Sequence, residues 1–277
     1  MSYRHLSPVF GVVGCLAAAN FLFAVQEPRL SDEPNLTDEQ KEEFLLKAQV
    51  VNSRQISKGI THPWRLTLSD GTLTHDAAFV SMDESKPIMR FEGGGAEIGF
   101  RDTYHYNIAA RELAKLLGLG DMMPVTVARK WRSDWGALSW WVPWKWDEET
   151  RLKQNLHAPD VEAWNNQMHK VRVFNELIYN TDPNVGNLLI TEDWKLWMID
   201  FTRAFRLHHD LKSPGNLTNC DRKLLEKLRQ LDGTEVLART KPHLTKDEVK
   251  AVMARRDKIV AYFEKLIAQK GENAVLY

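Results

Sequence analysis

Over residues 102–117 the apolar side chains Tyr106, Ala109, Ala110, Leu113, Leu116 and Leu117 recur every three or four positions, and Gly118 follows. That spacing predicts an amphipathic helix with a glycine stop. The same period predicts helices over residues 220–231 and 245–268, the second capped by Thr245, started by Asp247 and Glu248 and stopped by Gly271. Trp164, Met168, Val171, Asn175 and Ile178 share one face of a further helix, which Pro183 is expected to end. Thr37 with Gln40 three residues on is a capping-box signal for a helix to about Ala48.

Elsewhere the segments are short and alternating. Trp64-Arg65-Leu66-Thr67-Leu68, the turn Ser69-Asp70-Gly71 and residues 72–80 predict an antiparallel hairpin, and residues 124–129 and 136–142 predict two more strands. Gly93-Gly94-Gly95 lacks the strand and helix that bracket a phosphate cradle and is expected to be a flexible connection. Strands gather in the first half and helices in the second, which is an α+β arrangement.

The first residues differ from the rest. A short start with one Arg, an apolar run over residues 9–25 and an abrupt polar turn with Pro28 and Pro34 predict a signal peptide or retained anchor over residues 1–26. The expectation is therefore an exported or membrane-anchored protein, with a possible tether at its N-terminus. Ala17-Ala18-Ala19 offers small residues for cleavage, and Val12-Val13-Gly14-Cys15 has some likeness to a lipoprotein site. With only Cys15 and Cys220, an exported mature domain has no internal disulfide and no cysteine-based metal or redox site. The 37 basic and 37 acidic residues cancel, with no long run of either sign, which argues against a nucleic-acid partner held by its phosphates. The ten Trp residues suit core packing or a stacking platform for a sugar or base.

The chemistry concentrates between residues 180 and 203. Asn180-Thr181-Asp182-Pro183-Asn184-Val185-Gly186-Asn187 is followed by Leu188-Leu189-Ile190, a polar turn, a second apolar strand at residues 196–199, and Asp200-Phe201-Thr202-Arg203. If the two strands pair, Asp200 returns beside Asn187. One carboxylate for a nucleophile and two oxygen ligands for a hard cation are a minimal set for phosphoryl transfer. A calcium-loop reading of Asp182, Asn184 and Asn187 fits less well, because Gly186 is fifth and Asp193 twelfth where such a loop wants Gly sixth and Glu twelfth.

This segment resembles the catalytic core of atypical protein-kinase-like folds: the phosphoinositide 3/4-kinase, HipA-type and secretory-pathway kinase families. The resemblance covers residues 164–206 and, more loosely, 50–146. It implies a two-lobed fold, a small antiparallel β-sheet N-lobe with one helix over 50–146 and a mainly helical C-lobe over 147–277, after the leader over 1–26 and a linker and helix over 27–49 read from the residues themselves. It further implies Asp182 as the catalytic carboxylate, Asn187 and Asp200 as ligands of Mg2+ or Mn2+, ATP as nucleotide, and a hydroxyl-bearing acceptor that is a protein, a glycan or a small molecule.

The pattern departs from the family in its first half. The expected third strand places Val80 or Ser81 where a phosphate-binding Lys belongs, leaving Lys58, Lys86 and Arg90 as nearby substitutes and Glu112 as the partner on the helix. Ser57-Lys58-Gly59-Ile60-Thr61 is the candidate loop over the phosphates, and Arg203 is placed to support the loop or meet phosphate. A non-catalytic scaffold, nucleotidyl transfer on the same fold and a carbohydrate-binding module built on the Trp cluster stand as rival readings.

Overall fold

The computed structural model describes residues 35–277 apart from 57–62 and 91–92. The expected leader, Lys58 and the candidate phosphate loop lie outside the described residues.

Helix α1 (Asp38–Lys47) opens with the expected capping box, Thr37 accepting from the Gln40 N–H and the Gln40 side chain from the Thr37 N–H. Strands β1 (Gln49–Gln55), β2 (Trp64–Ser69), β3 (Thr74–Val80), β6 (Thr126–Trp131) and β7 (Asp134–Trp140) form an antiparallel sheet in the order β1-β2-β3-β7-β6. Leu66, Leu68, Ala77, Phe79, Leu138 and Trp140 bury one face of it against Phe44 and Leu45 of α1. Gly136 admits no side chain, because a Cβ there would lie 2.5 Å from the Val80 carbonyl and 2.6 Å from the Phe79 ring.

A hairpin absent from the sequence expectation, β4 (Asp83–Arg90) with β5 (Ala96–Thr103), runs between β3 and α2 (His105–Leu116). The glycines at 93–95 form its tip, and β5 takes residues 102 and 103 from the expected helix. Ile88 and Ile98 pair across its exposed face.

The second half is helical around a small hairpin. It comprises β8 (Trp146–Asp147), α3 (Glu148–Lys153), α4 (Val161–Leu177), β9 (Leu188–Ile190), β10 (Leu196–Met198), α5 (Arg222–Gln230), α6 (Gly233–Thr240) and α7 (Lys246–Lys270). Trp164 and Val171 of α4 are buried as expected. The helix ends at Leu177, five residues before Asp182, because Tyr179 turns left-handed at φ +48° rather than because of Pro183. Residues of α2, α4, α5 and α7 share one core with Ile190, Met198 and Phe201. Cys220 lies in that core as a free thiol, pushed up to about 12 by burial.

The first turn of α2 joins the sheet to the helical half. His105 meets His243, Nδ1 to Nδ1, at 2.8 Å, and the Tyr106 hydroxyl donates to Glu248 on α7 at 2.5 Å. Arg101 of β5 pairs with the same carboxylate at 3.0 Å. No helix of the described residues is long and apolar enough to cross a membrane.

Candidate active site

The hairpin works as its pattern implied. Leu188, Leu189 and Ile190 pair antiparallel with Met198, Trp197 and Leu196, and the next residue, Ile199, donates its N–H to the Asn187 carbonyl at 3.0 Å. Asp200 is thus carried back beside Asn187. Its φ of +59° is left-handed, a region Asp tolerates better than most residues, and it turns the chain away from the strand.

Side-chain amides fix the loop ahead of the hairpin. Asn180 Oδ1 accepts the Asp182 N–H at 3.0 Å, while its Nδ2 donates to Asn175 of α4, also at 3.0 Å. Asn184 Oδ1 accepts the Gly186 N–H at 2.8 Å, and the Thr181 hydroxyl donates to the Arg203 carbonyl at 2.7 Å. The loop and the segment that follows Asp200 therefore hold each other.

A cavity of about 330 Å³ opens over this hairpin. Ala78 and Val80 of β3 with Trp141, Val142 and Trp144 form one wall, Leu189 and Met198 the floor, and Asn187 and Asp200 one end. Trp141, half-buried, and Trp144, exposed, bring indole surface to the lining. Trp140, by contrast, is 2% exposed and belongs to the core. Of the four indoles in the 140–146 segment it alone is buried, Trp141 and Trp146 being half-buried and Trp144 exposed.

Asp200 is packed closely by protein but keeps an open face toward the cavity. Desolvation raises its pKa, opposed by hydrogen bonds from Thr202, and the nearby carboxylates Asp102 and Asp182 raise it further. Asp102 Oδ1 is itself buried without a partner. Among the described residues no three His, Cys, Asp or Glu side chains are grouped to hold a metal ion. Two hard oxygen donors, the Asn187 amide and the Asp200 carboxylate, fit a cation such as Mg2+ or Mn2+ that completes its shell with phosphate oxygens and water. Asp147 and Glu149 add negative charge to the lining, whereas no Lys or Arg lines it among the described residues.

Two of the expected cations, Lys86 and Arg90, lie elsewhere. Lys86 pairs with Glu84 at 2.6 Å on the β4–β5 hairpin, and Arg90 is exposed at the end of β4. Glu112 faces Lys115 at 3.4 Å and Arg239 of α6 at 2.8 Å, so it braces α2 against the helical half and does not line the cavity. The α2 residue that does line it is Asn107. Its signal in the sequence is an amide set on the buried side of an amphipathic helix. Arg203 lies 4.0 Å from Asp182 and 3.4 Å from Glu97.

No protein-family model and no curated protein sequence matches the chain. Solved structures do. Hydra Fam20, determined with sugar, is similar with a TM-score of 0.63 at 15% identity over 86% of this chain and 91% of the other. The Golgi casein kinase with Mn/ADP bound gives 0.59 at 14% identity over 86% and 78%, and the Helicobacter pylori proinflammatory kinase CtkA gives 0.53 at 11% over 82% and 98%. The fold is that of an atypical kinase. In this kinase-like fold the five-stranded sheet stands above the cavity and the helical half below, with residues 141–146 as the connection between them.

Proposed function

We propose that this protein is a nucleotide- and divalent-metal-dependent phosphotransferase acting on a hydroxyl-bearing acceptor. One observation carries the reading: the Ile199–Asn187 hydrogen bond brings Asp200 and Asn187 together in the lining of a cavity, one loop away from Asp182.

In this reading Trp141, Trp144, Leu189 and Met198 take the base of ATP. Asn187 and Asp200 hold Mg2+ or Mn2+, which supplies charge neutralisation at the phosphates. Asp182, half-exposed, orients the acceptor hydroxyl and accepts its proton as the oxygen bonds to the γ-phosphorus and the bond to the β-phosphate oxygen breaks, releasing ADP. Arg203 holds Asp182 in place. The bound sugar of hydra Fam20 and the Mn/ADP of the Golgi casein kinase are in keeping with such a nucleotide, metal and acceptor. Export or anchoring through residues 1–26 belongs to the same proposal.

Thermal unfolding with Mn2+ and ATP tests it. A ligand that binds only the folded chain raises the melting temperature by mass action, and Asp200→Ala is expected to abolish the rise. An unchanged rise in the variant would refute the metal assignment.

The acidic lining favours a second reading, a scaffold that binds metal and nucleotide without transfer. Steady ADP production with any hydroxyl acceptor, lost in Asp182→Ala, separates the enzyme from the scaffold.

A further inference from the structure

A protein kinase grips its phosphates with a strand Lys held by a helical Glu. Here the cavity-facing residues of β3 are Ala78 and Val80, and the cavity-facing residue of α2 is Asn107. Neither half of that ion pair is present at the described wall. The acidic side chains Asp147, Glu149 and Asp200 line the same space. Among the described residues of the lining, an incoming phosphate meets only neutral donors.

Asn107 is 9% exposed, and its Oδ1 accepts the Phe201 N–H at 2.6 Å. A backbone N–H must meet an acceptor, so the orientation of the amide is fixed by its partner. Nδ2 then points the other way, with two N–H groups and no hydrogen bond to any described residue. Nδ2 is not sealed off from the cavity, so a ligand oxygen that reaches it takes the place of solvent as its partner. The amide belongs to the lining that includes Asn187, Asp200 and Phe201, at the end of the cavity where the phosphates of a nucleotide would lie.

Resting on the phosphotransferase reading, we propose that Asn107 contacts phosphate: its Oδ1 holds the Asp200–Phe201 turn while its Nδ2 donates to a phosphate oxygen of the nucleotide. One amide thereby does two jobs that the Lys–Glu pair divides. It links the helix to the metal-bearing turn, and it gives the phosphates a donor without adding a charge. Its neighbours stiffen the mount, since His105 and Tyr106 pin the same helical turn to His243 and Glu248.

The test is calorimetric titration of the full chain with Mn2+ alone, with ADP in the presence of Mn2+, and with adenosine. Asn107→Asp keeps an oxygen for the Phe201 N–H but removes both donors. It is expected to bind ADP with Mn2+ at least tenfold more weakly, with adenosine unchanged and Mn2+ alone bound no more weakly. Asn107→Ala is expected to show the same loss for ADP and serves if the Asp variant does not fold. A folded variant that binds ADP within threefold of the wild type overturns the phosphate contact and leaves the phosphotransferase reading standing. Equal losses for ADP and adenosine assign Asn107 to the shape of the cavity and overturn the contact as well. A wild type that binds neither overturns both.

Discussion

Glu97 of β5 holds Arg203 at 3.4 Å across 106 residues of chain, and the same carboxylate lies 2.5 Å from Arg206. The pair ties the exposed β4–β5 hairpin to the segment that follows Asp200. The Arg206 contact is a close ion pair without hydrogen-bond alignment, so charge rather than direction holds it.

Removing that carboxylate strands Arg206, whose side chain is 7% exposed. Glu97→Ala is expected to cost on the order of 2 kcal/mol, the scale for leaving a buried charge unpaired. Urea unfolding of the variant against the wild type measures it. Because Arg203 loses its second partner, Asp182 should gain a tighter ion pair, and any transfer activity should fall more than nucleotide binding does.

Asp200 is held above the ordinary carboxylate range by desolvation and by Asp102 and Asp182. A folded-state pKa above the unfolded one makes the protonated form the stable one. The benefit is present below the unfolded pKa and is lost as pH rises through the folded pKa. Metal-free Asp200→Asn is therefore expected to melt higher than the wild type at pH 7, with the gap closing toward pH 4. Thermal melts across that range check the sign.

His105 and His243 run the other way. Burial lowers both, His243 to about 4, with His105 adding to the shift of His243. Above the unfolded value of about 6.5 neither state binds the proton. As pH falls from there toward 4 the unfolded chain binds protons that the folded pair refuses, and stability drops. The loss is at most about 1 kcal/mol per pH unit after allowing for partial exposure. Urea midpoints at pH 7, 6 and 5 should fall in the wild type and fall less steeply in His243→Leu.

Gly136 sits where β7 presses on β3. Gly136→Ala drives a Cβ to 2.5 Å from the Val80 carbonyl, a backbone atom that cannot swing aside. A loss of about 2–3 kcal/mol, typical of overpacking, is expected in chemical denaturation.

The parts of this site that were legible in the sequence are those built from local pattern. The paired strands at 188–190 and 196–198 and the helix before them follow from apolar period and turn residues, and that pairing returns Asp200 beside Asn187; singling out Asp182 took the resemblance to a kinase loop. The β4–β5 hairpin was not legible because half of its strand residues are exposed and Pro87 interrupts it, so no apolar alternation marks it. That hidden hairpin also explains the misplaced cations. Lys86 and Arg90 lie near β3 in sequence, but the hairpin carries them off the cavity wall. Asn107 escaped notice because its partner, the Phe201 N–H, is 94 residues away and only the tertiary fold brings them together.

The central claim is that Asn187 and Asp200 share one divalent cation at a nucleotide cavity beside Asp182. Anomalous diffraction from crystals grown with Mn2+ and ADP tests it most directly. The expected result is one Mn2+ peak within about 2.3 Å of both Asn187 Oδ1 and an Asp200 carboxylate oxygen, with the base between Trp141 and Trp144. A peak held instead by Asp147 and Glu149, or ordered ADP with no ion at Asp200, would contradict it.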